Sequence, residues 1–286
     1  MNKGVYIFCL FILQACAQKP YFGALEFLGR FPSSLSEVSG IAVDGDGHLW
    51  VIEDNGNKDI LYQINEQGAP IKKLKIENAK NEDWEDLTIA KDGTVFIGDF
   101  GNNTNDRKDL IIYRIPKSQL EKKTPKAEKI KFSYPEQQKF PPKKKNLIYD
   151  AEGFFHWDGH LYVFTKNRSR PYSGITLVYK IPDEEGTHEA ELVGEFILCE
   201  DQAHCSVTGA DISSNGQQIA LIGYGFVYLL SDFDLDSFTN PKIKRIDLKY
   251  PTQIEAVCYK NERTLYIADE QSQTKGRNLY RYKISE

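Results

Sequence analysis

Along almost all of this chain, short apolar runs alternate with polar turns that carry glycine. The first such stretch has runs at 39–43, 48–53, 60–64 and 71–76. Between them lie Asp44-Gly45-Asp46-Gly47, Asn55-Gly56-Asn57 and Glu66-Gln67-Gly68. Runs of that length, rich in β-branched and aromatic residues and bounded by such turns, predict four strands. The pattern then recurs. Val38-Ser39-Gly40-Ile41-Ala42, Trp84-Glu85-Asp86-Leu87-Thr88, Ala151-Glu152-Gly153-Phe154-Phe155, Val207-Thr208-Gly209-Ala210-Asp211 and Ile254-Glu255-Ala256-Val257-Cys258 stack on one another. Each is followed by a second apolar run, and then by a third with a tyrosine in register: Tyr62, Tyr113, Tyr179, Tyr228 and Tyr280. An internal period of this size marks a repeat architecture.

The second repeat offers strands at 85–89, 94–98, 110–115 and 129–134, and the third and fourth follow the same plan. No stretch has helical periodicity; 184–191 comes nearest, and it is short and contains Gly186. The fifth repeat is one strand short, and the extended run 21–31 supplies the missing piece. Spacings between the stacked positions are 46, 67, 56 and 47 residues. The 31 residues after Glu255 and the 19 or so between Pro20 and Ser39 make a comparable interval across the chain ends. The expectation is an all-β fold: a five-bladed β-propeller of four-stranded blades, closed by the N-terminal strand, with 18–286 as a single domain. Closure removes the sheet edge that would invite aggregation. A six-bladed alternative would split the 67-residue interval, which holds only a charged, proline-rich insertion.

The chain opens Met1-Asn2-Lys3, runs apolar from Val5 to Leu13, and continues Gln14-Ala15-Cys16-Ala17. A positive start, a short apolar core and small residues at the exit read as a signal peptide over 1–17. Leu13-Gln14-Ala15-Cys16 resembles a bacterial lipobox, with Cys16 as the acylated residue; Ala15-Cys16-Ala17 also fits ordinary cleavage. Both give export, to a lipid-anchored place in the cell envelope or to the periplasm or medium. Membrane contact is then through an N-terminal lipid alone. Aromatics at 12%, with 16 tyrosines, 16 phenylalanines and one methionine, suit half-buried pleated surfaces. A net charge of −5 argues against nucleic-acid binding, and a monomer is expected.

The stacked positions put Ser39, Glu85, Glu152, Thr208 and Glu255 in one column. Such a column can be a polar lining of the central channel. Three glutamates aimed into a narrow channel, however, repel one another and lose solvent, and a bound cation relieves both. Oxygen-only ligands suit Ca²⁺, which takes six to eight of them; zinc would ask for His or Cys.

The order Ser, Glu, Glu, Thr, Glu in a five-repeat chain resembles the calcium-activated nucleotidases, or apyrases. That resemblance implies a five-bladed propeller with an axial Ca²⁺, hydrolysis of nucleoside di- and triphosphates, and these five residues as ligands. The acidic-arginine-glycine turn of that family stands here as Glu53-Asp54-Asn55-Gly56. The segment SGIAVDGDGHLWVIEDN is also similar to exported bacterial propellers of the SdiA-regulated and phytase-like esterase groups.

Asp54, Asp99, Lys166, Tyr224 and Asp269 follow their column residues by fourteen to sixteen positions and are expected around the mouth. The carboxylates are candidates for positioning a water; Lys166, Arg168 and Tyr224 are candidates for binding substrate. The insertion 135–147, with Lys139, Lys143, Lys144 and Lys145, and the segment Lys166-Asn167-Arg168-Ser169-Arg170 gather cations on the same rim, a plausible anion site. No other catalytic motif stands out, and the five histidines are scattered. Cys199 and Cys205 are close enough in sequence for a disulfide, and Cys258 reads as a buried thiol. Two functions fit: a binding or scaffold propeller of the envelope with structural Ca²⁺, taking a small anionic ligand or an envelope protein or glycan; or a Ca²⁺-dependent hydrolase of phosphorylated or ester substrates.

Overall fold

The structure, a computed structural model, describes residues 21–273 and 275–285. The signal peptide expected over 1–17 and the lipidation expected at Cys16 fall outside the described residues. Five small sheets form a ring, giving a five-bladed β-propeller. Blade 1 runs through Val38–Val43, Leu49–Glu53, Ile60–Ile64 and Pro70–Lys75; blade 2 through Trp84–Ile89, Val95–Asp99, Ile111–Ile115 and Glu128–Ser133. Blade 3 comprises Asp150–Trp157, His160–Lys166, Ile175–Pro182 and Glu191–Ile197; blade 4 comprises Gly209–Ile212, Ile219–Gly223, Phe226–Ser231 and Lys242–Asp247. Blade 5 has Ile254–Asn261, Thr264–Asp269 and Asn278–Lys283, and takes its outermost strand, Glu26–Arg30, from the other end of the chain. That strand pairs antiparallel with Asn278–Lys283, from Glu26 opposite Arg281 to Arg30 opposite Asn278.

The propeller has a separate core at each blade junction. Trp50, Ile52, Trp84, Leu87 and Ile97 pack between blades 1 and 2; Phe96, Phe100, Phe154 and Tyr179 between blades 2 and 3; Phe155, Phe164, Tyr228 and Phe238 between blades 3 and 4. Ile222, Ile254 and Tyr280 fill the fourth junction and Ile41, Val51, Cys258 and Tyr266 the fifth. Each buried large apolar side chain contributes roughly 1.5–3 kcal/mol. The repeated tyrosines are all buried. Three of them also tie down the links above the blade: Tyr113 and Tyr228 donate to the Lys80 and His204 carbonyls and Tyr179 to Glu136, while Tyr280 donates to Asp269 at the end of the neighbouring strand. A tyrosine recurs because one residue fills the junction and anchors a link.

One strand was not anticipated. Gly186–Glu189, within the stretch closest to helical periodicity, is extended and pairs in parallel with Glu128–Ser133. It covers the outer edge of blade 2. Its four residues alternate between half-buried and exposed, too few to give a strand signal.

At the axis the inner strands pack backbone to backbone. A Cβ on Gly40 would lie 2.7 Å from the Leu87 nitrogen, and one on Gly153 the same distance from the Gly209 carbonyl carbon. Asp86 is wholly buried there. Its carboxylate accepts from the backbone N–H of Leu87 at 2.8 Å, Phe154 at 3.0 Å and Ala210 at 3.3 Å. One side chain thereby links the inner strands of blades 2, 3 and 4 just below the column.

Candidate functional site

A bulge opens four of the five inner strands, and the column residue is the extra residue in each. The ladder passes from Val38 opposite Glu53 to Gly40 opposite Ile52, skipping Ser39. It skips Glu85, Glu152 and Glu255 in the same way. A bulged residue is released from its ladder partner and re-aimed, a device common beside functional sites. Thr208 holds the equivalent place just before its strand, where its N–H bonds Ile222. The small residue after the column position (Gly40, Gly153, Gly209 or Ala256) lets the backbones approach.

Ser39, Glu85, Glu152 and Thr208 are buried, and Glu255 is half-buried. The two hydroxyls donate to the neighbouring inner strand, Ser39 to the Trp84 carbonyl at 2.9 Å and Thr208 to that of Ile254 at 2.7 Å. Glu152 sits on the basic side of the mouth. Its Oε1 lies 3.0 Å from Lys166 Nζ and 2.8 Å from Arg168, whose Nε is 2.6 Å from Asp150. Burial by itself would lower the Lys166 ammonium's pKa, but Glu152 and Glu255 hold it above the ordinary lysine range. The Tyr224 ring lies under Lys166 at 5.7 Å.

The opposite side is acidic. Carboxylate oxygens of Asp54, Asp83 and Glu85 lie within 4.8 Å of one another. Burial, then Glu152 and Asp54, drives Glu85 well above the usual carboxylate range. Burial pushes Asp54 up to about 7, with Asp83, Glu152 and Glu270 adding to it. Asp150 is pushed to about 7 by burial and Glu152, against Arg168 and Lys166. The mouth is thus polarised, with carboxylates at the junction of blades 1 and 2 and cations above blade 3.

Asp99 and Asp269, expected at the mouth, have structural partners. Asp99 pairs with Arg107 at 3.0 Å and accepts the Asp83 N–H at 3.1 Å. Asp269 accepts from Thr252 at 2.6 Å, from the Asn278 N–H at 2.7 Å and from Tyr280 at 2.9 Å. The ladder explains the difference. Glu53, Asp99 and Asp269 all pair with the residue before the column, whereas Asp54 and Glu270 come one position later. Asp54 and Glu270 also donate their N–H groups to equivalent carbonyls, Glu37 and Gln253. A shift of one residue along a strand changes the face, and aligning by approximate spacing mixed the two sets. Glu270 was missed for this reason, and Asp83 and Asp150 because their position, two before the column, carries a carboxylate in only three of the five blades.

The rim lysines Lys139 and Lys143–Lys145 are exposed. Their loop is tied to the Arg168 segment, with Arg168 N–H donating to Leu147 and Arg170 N–H to Lys144. Cys199 and Cys205 are joined by a disulfide. Cys258 is a buried free thiol.

The chain matches no protein-family model and no curated protein. Its fold is similar to that of several solved enzymes. An aldose sugar dehydrogenase from Streptomyces coelicolor, in its PQQ-bound form, has 10% identity, a TM-score of 0.50, and coverage of 92% of this chain and 98% of that one. A proposed gluconolactonase has 15% identity, a TM-score of 0.48, and coverage of 87% and 76%. An inactive virginiamycin B lyase from Staphylococcus aureus, solved with quinupristin, has 14% identity, a TM-score of 0.44 and coverage of 85%. This chain spans 64% of that lyase. The likeness is one of fold alone, and the class of the chain, a five-bladed β-propeller, rests on its own five sheets.

Proposed function

We propose that this chain is an exported, calcium-binding propeller whose mouth takes up a small anionic ligand, or the anionic part of an envelope protein or glycan. The observation that carries the reading is the bulge at the head of the inner strands, which turns Glu85, Glu152 and Glu255 out of their ladders. Buried carboxylates that raise one another's proton affinity are what a cation relieves. Their chemistry, with the oxygens of Ser39 and Thr208, fits Ca²⁺. Lys166 and Arg168 supply the complementary anion contact. Export rests on residues 1–17, and mass spectrometry of the mature N-terminus tests it: a chain starting at a modified Cys16 is lipid-anchored, one starting at Gln18 is released.

The test of the ion is thermal unfolding with Ca²⁺, Mg²⁺ and chelator. Ca²⁺ at a hundredfold excess over its dissociation constant should add about 2.7 kcal/mol, and Mg²⁺ should substitute poorly because it needs a tighter octahedral shell. A melting curve unmoved by exhaustive chelation would make the column a polar lining.

A second reading is a Ca²⁺-dependent hydrolase of phosphorylated or ester substrates, in keeping with the resemblance to calcium-activated nucleotidases. The acidic and basic halves of one mouth favour it, since a cation and Lys166 can share an anionic substrate, with Asp54 beside them to position a water. Turnover of nucleotides, phosphomonoesters or short esters that stops on chelation supports this reading; none with Ca²⁺ present leaves the binding role.

A further inference from the structure

Asp83 stands outside the column, two residues before Glu85, at the position that Glu37, Asp150, Ser206 and Gln253 hold in the other blades, and the fold fixes it with care. Its backbone N–H donates to Asp99 at 3.1 Å and its carbonyl accepts from Gly101 at 3.2 Å. Its Oδ1 accepts from the Asn55 side chain at 2.7 Å. Asn81 holds the facing loop in place by donating to the carbonyls of Glu53 at 2.8 Å and Asp54 at 2.9 Å, while its own oxygen accepts the Trp84 N–H at 3.0 Å. The result is a rigid cleft between blades 1 and 2 in which Asp54, Asp83 and Glu85 present oxygens within 4.8 Å of one another.

Two further observations point to an occupant. Glu85 is only 7% exposed, and no hydrogen-bond donor reaches its carboxylate among the described residues, unlike Glu152, which has both Lys166 and Arg168. A buried carboxylate without a donor is costly unless a charge meets it. Gly101 lies against the same cleft. A Cβ there would stand 2.1 Å from Glu85 Oε1 and 2.4 Å from Asp83 Oδ2, so any larger residue would push the two carboxylates from the places they hold.

We propose that Asp54, Asp83 and Glu85 hold a divalent cation of their own, displaced from the axis to the junction of blades 1 and 2. This goes beyond the axial ion: it takes one ligand from the column and two from outside it. Oxygen-only ligands select a hard cation, Ca²⁺ foremost. The three carboxylates supply part of its shell, and the partly exposed Asp54 leaves room for water. Asp54 becomes a ligand here rather than a free base.

The test is calorimetric titration with Ca²⁺ alone of the whole protein and of Asp83→Asn, Asp54→Asn, Gly101→Ala and Glu255→Gln, each first shown to be folded by circular dichroism. The wild type should take up two ions. Asp83→Asn and Asp54→Asn should each lose one, and Gly101→Ala should weaken that ion at least tenfold. Glu255→Gln should keep it and lose the other. If Asp83→Asn and Asp54→Asn bind as many ions as wild type, with the same affinities, the inference is overturned while the axial reading stands. If they abolish the only ion and Glu255→Gln leaves it untouched, the inference stands and the axial reading falls. No uptake by the wild type overturns both.

Discussion

Replacing Lys166 by methionine removes the cation that the mouth itself provides. Lys166 is 6% exposed and its ammonium sits 3.0 Å from Glu152. Methionine keeps the apolar stem as far as the lysine Cε and drops the charged nitrogen. Breaking a buried pair by removing one partner costs about 3–5 kcal/mol, because the other charge stays buried. Arg168 still reaches Glu152 at 2.8 Å, so the lower end applies, about 3 kcal/mol. At roughly 2–4 °C per kcal/mol for a chain somewhat shorter than this one, Tm in chelator should fall by about 6–12 °C. Calcium should then raise Tm more in Lys166→Met than in wild type, since the ion meets a more negative mouth. Calorimetric melts of both proteins, with chelator and with saturating Ca²⁺, measure the two differences. A variant melting within about 2 °C of wild type in chelator would mean that Lys166 neutralises no buried charge. Equal calcium increments in the two proteins would mean that the ion does not sense Glu152 and Glu255.

Three further outcomes are expected. A chain shortened to begin at Phe31 loses the strand Glu26–Arg30 that completes blade 5; it should aggregate in size-exclusion chromatography, and a soluble variant with unchanged Tm would refute closure by this strand. Gly153→Ala forces a Cβ to within 2.7 Å of the Gly209 carbonyl carbon, whereas a Cβ on Gly45 meets nothing; urea unfolding should show a loss of about 1–3 kcal/mol for the first and under about 0.5 for the second, and equal effects would count against tight axial packing. Burial holds Asp211 up at about 7, against an ordinary value of 3.8. The folded state therefore keeps a proton that the unfolded chain gives up, and the stability this confers below 3.8 is lost as pH rises through 7. Wild type should lose more stability than Asp211→Asn between pH 5 and 8 in urea titrations, and parallel slopes would refute the assignment.

The blade count and the ring closure were legible because the blades repeat one plan. A small residue follows the column position in four blades, with Asp86 in that place in the other, and a tyrosine fills the third strand in all five. The site was legible only in part. Glu85, Glu152 and Glu255 repeat and could be aligned. Asp83 and Asp150 stand two residues before Glu85 and Glu152, a position filled by Glu37, Ser206 and Gln253 in the other blades, so it repeats as polar but not as a carboxylate, and Asn55 lies in the turn after Leu49–Glu53. Asp99 and Asp269 show the limit of spacing as evidence: the bulge adds one residue to the inner strand, and counting from the column cannot tell whether the facing residue is Asp99 or its successor Phe100. Only the ladder decides which side chain turns toward the mouth. The strand Gly186–Glu189 was invisible because its pairing partner, Glu128–Ser133, belongs to a different blade.

The Asp86 carboxylate accepts from three inner strands at once, so blades 2, 3 and 4 cannot shift independently at the axis. The N–H groups it holds, on Leu87, Phe154 and Ala210, each lie two residues beyond Glu85, Glu152 and Thr208. A change of charge at one of these column residues is therefore met by three strands moving as one frame, and the strain of emptying or filling the site is shared among blades rather than absorbed by a single loop.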